Sequence, residues 1–193
     1  MVFSEQMEKA IALAAQAHEG QYRRNQNIVP SIPYSSHCYN VGFMLFRMGY
    51  GEDIVIAGIL HDIVEDTSIT LDFIEEQFGK GVAAIVEMVT DEPDLAFKER
   101  KTQQFEMIRN APEGVKAIKA ADSLHNMYSR VFALRRGENI WQNIPDQRKE
   151  ESLWGYHESL KALRTGWDHE ILDELESYLN ELESLSVNFE ERA

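Results

Sequence analysis

The sequence predicts an all-α fold, a helical bundle in a single domain, and three observations lead to this prediction. Apolar residues recur at helical spacing along most of the 193 residues. No segment carries the alternating pattern of a strand, and no repeat or low-complexity linker divides the chain. The length supplies one sizeable core and is short for two domains.

A loop separates the first two predicted helices. The segment SEQMEKAIALAAQAH is rich in helix formers and begins at Ser4, a residue type that caps helix N-termini. The following QYRRNQNIVPSIP contains two prolines and no period, which predicts a loop. Helical spacing returns in YSSHCYNVGFMLFRM and stops at Gly49 and Gly51.

The remaining helices follow in close succession. Residues 52–66, EDIVIAGILHDIVED, predict one helix that is apolar nearly all round, and TLDFIEEQFG starts the next near Thr70 and ends it in glycine. Three more helices are predicted in GVAAIVEMVTD, DLAFKERKTQQFEMIRN and GVKAIKAADSLHNMYSRVFALRRG. Two final helices are expected at about 145–165 and 168–185, the second opened by Asp168.

A row of leucines marks one face of the last predicted helix. Their 3–4–3 spacing is typical of a helix that docks on its own domain, and the row is short for a coiled coil. The row consists of Leu172, Leu175, Leu179 and Leu182. A homo-oligomer is left open.

Charge and cysteine content exclude several classes of protein. The net charge is -14, which argues against a protein that binds the nucleic-acid backbone. Much of the excess lies in residues 170–193, which hold eight acidic residues and one basic residue. The sequence predicts no membrane span and no secretory signal. The single cysteine, Cys38, excludes an internal disulfide, and we expect a reducing, cytoplasmic location.

The stretch ILHDIVEDTSIT places His61, Asp62, Glu65 and Asp66 within an apolar run. On a continuous helix these four side chains share one arc, while the apolar side chains between them face a core. Gly58 lies beneath that arc and leaves room for another group. The sequence therefore predicts that the acids open into a cavity.

Crowded carboxylates need compensation when they lose water. A divalent metal is the strongest compensation, protonation is the alternative, and a solvated acidic helix end explains the motif without a site. A metal needs further ligands from other helices. His37 lies near the start of a helix, and Asp122 follows three turns of mostly apolar helix, with Asn126 one turn further on.

Five motifs occur in order from about residue 15 to 128: AHEGQYRR, PYSSH, ILHDIVEDT, VTDEPDLAFKERK and KAADSLHNM. With this ordered set the sequence resembles the HD-domain metal-dependent phosphohydrolases of the RelA/SpoT type, and most of all their stand-alone small alarmone hydrolases. The resemblance implies a single HD-type domain over 1–193. It comprises a motif core at about 15–128, closing helices at about 138–185 and a frayed tail at 186–193. It leaves no room for a synthetase domain.

The resemblance implies one bound divalent ion, usually manganese. Mixed imidazole and carboxylate ligation is chemically consistent with manganese and does not exclude iron, cobalt, nickel or zinc. Carried onto this sequence, the ligands are His37, His61, Asp62 and Asp122.

The implied reaction removes pyrophosphate from the 3′ position of guanosine tetra- or pentaphosphate and leaves GDP or GTP. Glu65 and Asp66 match the residues that orient and deprotonate the water. Arg24 matches a phosphate-binding arginine, and Asn126 matches an asparagine that reaches the substrate or an ordered water. The expected partner is a small-molecule nucleotide, with no nucleic acid and no membrane.

Several positions depart from the family pattern and keep two alternatives open. Asn25 replaces the usual lysine, Ser123 replaces a common basic residue, Cys38 replaces a frequent proline, and the loop before His37 is longer. The alternatives are an HD phosphohydrolase that acts on a different nucleotide phosphate, and a metal-containing nucleotide sensor without turnover.

The roles of four other side chains stay open at this stage. Trp154 and Tyr156 are both candidates for contact with the base. His125, three residues after Asp122, is a candidate for a position behind the ligands, and Lys101 is a candidate for substrate contact.

Overall fold

The helical spacing in the sequence produces helices throughout the residues that the computed structural model describes, namely 4–23, 31–91, 97–142 and 144–190. The all-α prediction is confirmed, since an isolated bridge between Tyr22 and Pro33 is the sole β pairing within these ranges. In chain order the helices are α1 Glu5–Ala17, α2 Ser35–Arg47, α3 Glu52–Ile59, α4 Ile63–Asp66, α5 Leu71–Phe78, α6 Lys80–Val89, α7 Phe97–Asn110, α8 Glu113–Arg135, α9 Asp146–Leu163 and α10 Glu170–Glu190. Within the same ranges, every helix is too short or too polar to cross a membrane.

Two helix starts and one boundary match the sequence signals. The Ser4 hydroxyl accepts a hydrogen bond from the Met7 amide, and the Thr70 hydroxyl accepts one from the Phe73 amide, both at 3.3 Å. Gly79 has a φ of 87°, which suits glycine, and it ends α5 directly before α6 begins.

The helix predicted over residues 52–66 is wrong as a continuous element. It breaks after Ile59 into a turn at residues 60–62, and α4 follows. At the break, His61 Nδ1 lies 2.9 Å from the Gly58 carbonyl oxygen. A continuous helix would give that oxygen to the Asp62 amide. The turn directs His61 and Asp62 toward the same point.

The last helix is displaced along the chain from its prediction. It begins at Glu170, since the Ile171 amide donates to His169 Nδ1 at 3.2 Å, so His169 and not Asp168 caps it. It continues past residue 185 to Glu190. Ser186, the first residue of the tail expected to fray at 186–193, is buried and accepts a hydrogen bond from Trp141 Nε1 at 2.8 Å; residues 191–193 lie outside the described residues.

The long helix α8 is the centre of the packing. It contacts α10, α2, α3, α6 and α9, and it carries Asp122 on its length. The leucine row of α10 is at most 1% exposed at each position and packs in the core, which confirms the docking expectation. Because α8 packs against these helices, it holds Asp122 rigidly in place.

Two glycines allow α2 and α3 to approach closely. A Cβ on Gly42 would overlap the side chain of Ile59, and a Cβ on Gly58 would overlap that of Leu45. The space that Gly58 was expected to leave for another group is therefore filled by α2. This contact brings His37 of α2 beside the turn that carries His61.

Gly42→Ala tests the close contact between α2 and α3. We expect the free energy of unfolding to fall by about 1–3 kcal/mol, because buried Ile59 cannot move aside without strain. Gly155→Ala is the matched control, since a Cβ in that helical position meets nothing within 4 Å. Chemical denaturation should show the control unchanged or more stable by up to about 1 kcal/mol. Equal losses in both variants would contradict the packing account.

Candidate active site

Four side chains from three parts of the fold converge on one point. His61 Nε2 lies 2.9 Å from Asp62 Oδ2, and His37 Nε2 lies 3.1 Å from Asp122 Oδ1. The other two imidazole–carboxylate distances are 3.5 Å, from His37 to Asp62, and 3.7 Å, from His61 to Asp122. The structure thus brings together the four residues that the sequence resemblance marks as ligands.

This set of donors fits a divalent metal ion. The Nε2 atoms of His37 and His61 are buried and make no hydrogen bond with a described residue. Donor atoms of His37, His61 and Asp122 all lie within 4.8 Å of one another. Such spacing suits neighbouring ligands around one ion with bonds of about 2.0–2.2 Å, and a bound ion would satisfy both orphaned nitrogens.

The pKa values of the histidine and aspartate side chains also indicate that a cation is favoured in this site. Burial opposes a charged imidazole at His61, yet the carboxylates of Asp62 and Asp122 outweigh it and raise the pKa of His61 to about 10. Burial likewise opposes ionisation of the two carboxyl groups, but the adjacent imidazoles of His61 and His37 lower the pKa of both Asp62 and Asp122. Without the ion, a proton on His61 therefore supplies the positive charge that the ion would supply.

Hydrogen bonds behind the cluster orient its members. His37 Nδ1 lies 2.7 Å from His125 Nδ1, and the two rings stack. Burial, and then the charge of His37, lower the pKa of His125 to about 3. A neutral His125 can accept a hydrogen bond from His37 Nδ1–H, which leaves His37 Nε2 free to face an ion. Tyr34 adds a second support, because its hydroxyl donates to Asp62 Oδ2 at 2.6 Å.

Glu65 and Asp66 both reach open space beside the four ligands. The Asp91 amide donates to Glu65 Oε1 at 2.6 Å, and the Asp91 carboxylate accepts from Lys101 at 3.0 Å. Both acids are exposed, but the protein still removes part of their hydration, which raises the pKa of each. Lys119 opposes the shift at Glu65, and the charge of Asp62 adds to the shift at Asp66.

Two cavities meet beside the cluster, and the two acids face different ones. The small cavity has a volume of about 280 Å³ and is lined by residues that include Asp62, Glu65, Asp91, Lys101, Lys119, Asp122, Asn126, Arg130, Ser152 and Tyr156. The large cavity has a volume of about 930 Å³ and is lined by residues that include Tyr22, Arg23, Tyr34, Asp66, Asn126, Arg130, Trp141, Arg148 and Ser152. Asn126, Arg130 and Ser152 line both.

Among the predicted substrate-binding residues, Asn126 lies in the site and Arg24 lies outside the described residues. Asn126 donates to Asp122 Oδ1 at 2.6 Å and accepts from Arg23 Nη2 at 2.8 Å. Arg23, the first arginine of the pair, is thus linked to Asp122 through Asn126. The guanidinium of Arg23 also lies 5.6 Å from the centre of the Tyr34 ring.

The sequence reasoning missed several basic residues of the cavities. Lys119 and Arg130 precede and follow Asp122 and Asn126 on α8 at steps of three and four residues, so all four share one face of that helix. That spacing was a readable signal. Arg148 carried no such signal, because α9 brings it to the large cavity only through the fold.

The other side chains considered from sequence take clear positions. Cys38 is buried in the core. Tyr156 lines the small cavity, whereas Trp154 packs edge-on against Phe105.

Comparison with known proteins identifies the class of this fold and site. The model of the HD domain matches residues 10–140. The chain therefore belongs to the HD domain family.

Within that family, several of the similar proteins are named as 3′-pyrophosphohydrolases. The chain is 34% identical to guanosine-3′,5′-bis(diphosphate) 3′-pyrophosphohydrolase MESH1 of Xenopus tropicalis, over 81% of this chain and 83% of that protein. It is 40% identical to MESH1 of Mus musculus, over 63% of this chain and 68% of that protein. A solved structure of a metazoan ortholog of SpoT, described as hydrolysing ppGpp, superposes with a TM-score of 0.79 at 27% identity. That match covers 93% of this chain and 97% of the other.

Metal affinity should rise with pH because a proton on His61 competes with the ion. In the metal-free protein the pKa of His61 is about 10, so at pH 7 the ion displaces one proton. We expect the apparent affinity for Mn²⁺ to rise about ten-fold per pH unit from pH 7 to 8.5 and to fall on acidification. Calorimetric titrations measure it. His157→Gln, which alters an exposed imidazole, should keep the same slope, and a flat profile would contradict the competition.

Tyr34→Phe tests the support behind Asp62. The variant removes the hydroxyl that donates to Asp62 Oδ2, so the carboxylate is held less firmly. We expect the affinity for Mn²⁺ to fall by about 10–100-fold with the fold intact. Tyr39→Phe is the control, because its hydroxyl donates to the Ile11 carbonyl away from the site. If both variants bind the ion as tightly as the wild type, Tyr34 does not support the site.

Proposed function

We propose that the protein is a metal-dependent hydrolase that removes pyrophosphate from the 3′ position of guanosine tetra- or pentaphosphate. The observation that carries the proposal is the convergence of two imidazoles and two carboxylates at the junction of two cavities. Membership of the HD domain family supports hydrolysis, and the activity named for the relatives supports this substrate.

His37, His61, Asp62 and Asp122 would hold the ion, and we propose Mn²⁺ as the native metal. A bound divalent ion lowers the pKa of a water and offsets negative charge on the attacked phosphoryl group. The ligand set contains no thiolate, which suits manganese, although the same donors also accept other divalent metals. We place the enzyme in the cytoplasm, where a lone buried cysteine such as Cys38 stays reduced.

Glu65 and Asp66 would prepare the attacking water. Glu65 has a raised pKa and a carboxylate oxygen fixed by the Asp91 amide, which suits a group that takes up a proton near neutral pH. Asp66 lies on the opposite side, in the wall of the large cavity. Its carbonyl oxygen is held by the Gln21 side chain at 2.8 Å, so the segment that carries both acids is fixed at two points.

The proposed reaction forms one bond and breaks one. The water oxygen bonds to the phosphorus next to the ribose, the bond from that phosphorus to O3′ breaks, and pyrophosphate leaves. One water proton would pass to Glu65 and then on to O3′, which leaves as a hydroxyl, while the remaining OH of the water stays on the phosphorus. Asn126 would contact the substrate near Asp122, and Arg24 would bind phosphate.

Turnover of guanosine tetraphosphate should depend on the metal. Chelator-treated protein is expected to leave the substrate intact, and added Mn²⁺ should restore release of GDP and pyrophosphate in equal amounts, as measured by anion-exchange chromatography. If metal-loaded protein leaves this substrate intact but cleaves another nucleotide phosphate, the site stands and the substrate assignment fails.

Glu65→Gln should separate chemistry from metal binding. We expect kcat to fall by about 10²–10⁴-fold because the base is lost, while the metal content by mass spectrometry is unchanged. Asp66→Asn should also lower kcat and retain the metal. Glu76→Gln, which alters an exposed carboxylate on α5, should turn over like the wild type. Wild-type rates for both site variants would show that this pair does not act on the water.

A further inference from the structure

Arg130 stands on the boundary between the two cavities. Its guanidinium carbon lies 5.7 Å from the centre of the Trp141 ring and 5.7 Å from that of the Tyr156 ring. Trp141 belongs to the large cavity and Tyr156 to the small one, and Arg130 lines both. The guanidinium thus lies within cation–π distance of one aromatic ring from each cavity.

Arg130 lacks a carboxylate partner among the described residues, although the chain is acidic. Arg130 forms no ion pair with any residue of the described ranges, whereas Arg135 pairs with Glu181 and Arg164 pairs with Asp173. Lys119 is a second case, since it is 7% exposed, lines the small cavity and donates no hydrogen bond within the same ranges. Unpaired cations in a wall of partly buried residues provide a site for an anion.

The volumes of the two cavities suit different parts of a nucleotide substrate. The large cavity, at about 930 Å³, has the volume of a pocket for a nucleotide-sized molecule. The small cavity, at about 280 Å³, admits a smaller group and contains the ligands Asp62 and Asp122. Resting on the proposed function, this division places the 3′-pyrophosphate in the small cavity and the nucleoside 5′-diphosphate in the large one.

We propose that Arg130 binds phosphate on both sides of the boundary and thereby selects nucleotides that are phosphorylated at both the 3′ and 5′ positions. Lys119 assists it in the small cavity alone, and Arg148 assists it in the large cavity alone. Arg130 is therefore a specificity-determining residue, and the two single-cavity cations provide separate tests of each side.

The test measures the binding of three probes by calorimetry, with free Mn²⁺ held constant by a metal buffer. Inorganic pyrophosphate reports on the small cavity, GDP reports on the large cavity, and guanosine reports on contacts that need no charge. The variants are Arg130→Gln, Lys119→Met and Arg148→Gln. Arg47→Gln is the control, since Arg47 is an exposed arginine of α2 that lines neither cavity.

The expected pattern differs for each variant. Arg130→Gln should weaken both pyrophosphate and GDP about ten-fold or more, which is the effect of losing one charged hydrogen bond, and should leave guanosine unchanged. Lys119→Met should weaken pyrophosphate alone, and Arg148→Gln should weaken GDP alone. Arg130→Lys should restore both affinities to within a few fold, because it restores the charge, and Arg47→Gln should match the wild type.

Three results would overturn the proposal. One is a wild type that binds neither pyrophosphate nor GDP, and another is an Arg130→Gln variant that binds both like the wild type. The third is an Arg130→Gln variant that loses guanosine binding together with pyrophosphate and GDP binding and has a lowered melting temperature. A purely structural arginine would give this result. Lys119→Arg keeps the buried charge, so it separates a loss of fold from a loss of binding at that position.

Failure of the proposed function would be seen separately. The probes are products and fragments, so their binding is measured without turnover. A wild type that binds pyrophosphate and GDP in this pattern but does not cleave guanosine tetraphosphate would refute the reaction and retain the role of Arg130. A wild type that cleaves it while the pattern is absent would do the reverse.

Discussion

Two imidazoles and two carboxylates meet inside an apolar helical core, where burial favours a positive charge among them. His37 and His61 are at most 1% exposed, so neither gains hydration in exchange for a missing partner. Two features of the surrounding fold bring these four side chains together. The break after Ile59 turns His61 and Asp62 inward, and the close approach of α2 and α3 at Gly42 and Gly58 brings His37 beside them.

The same cluster separates the polar groups around it into two environments. Glu65 faces the small cavity with Lys119, and Asp66 faces the large cavity. The net charge of the chain is -14, but Lys119, Arg130 and Arg148 place positive charge in the walls of these cavities. Acidic residues elsewhere, as on α10, lie on the surface and pair with Arg135 and Arg164.

Much of the fold could be predicted from the sequence, because helix caps such as Ser4 and Thr70 act locally. The four clustered residues were accessible only through the ordered motifs, since periodicity does not say which helices meet. The turn at 60–62 was missed because a side chain, His61, takes a backbone acceptor, which no propensity describes. The spacing of Arg130 from Asp122 and Asn126 was readable, but a charge count does not show which cations lack a carboxylate partner.

The most direct test of this account is anomalous diffraction at the manganese absorption edge from crystals grown with Mn²⁺. We predict one strong peak within about 2.0–2.3 Å of His37 Nε2, His61 Nε2 and one oxygen each of Asp62 and Asp122. A peak elsewhere, or none when the His and Asp side chains are well ordered, would contradict the claim that these four side chains hold a cation.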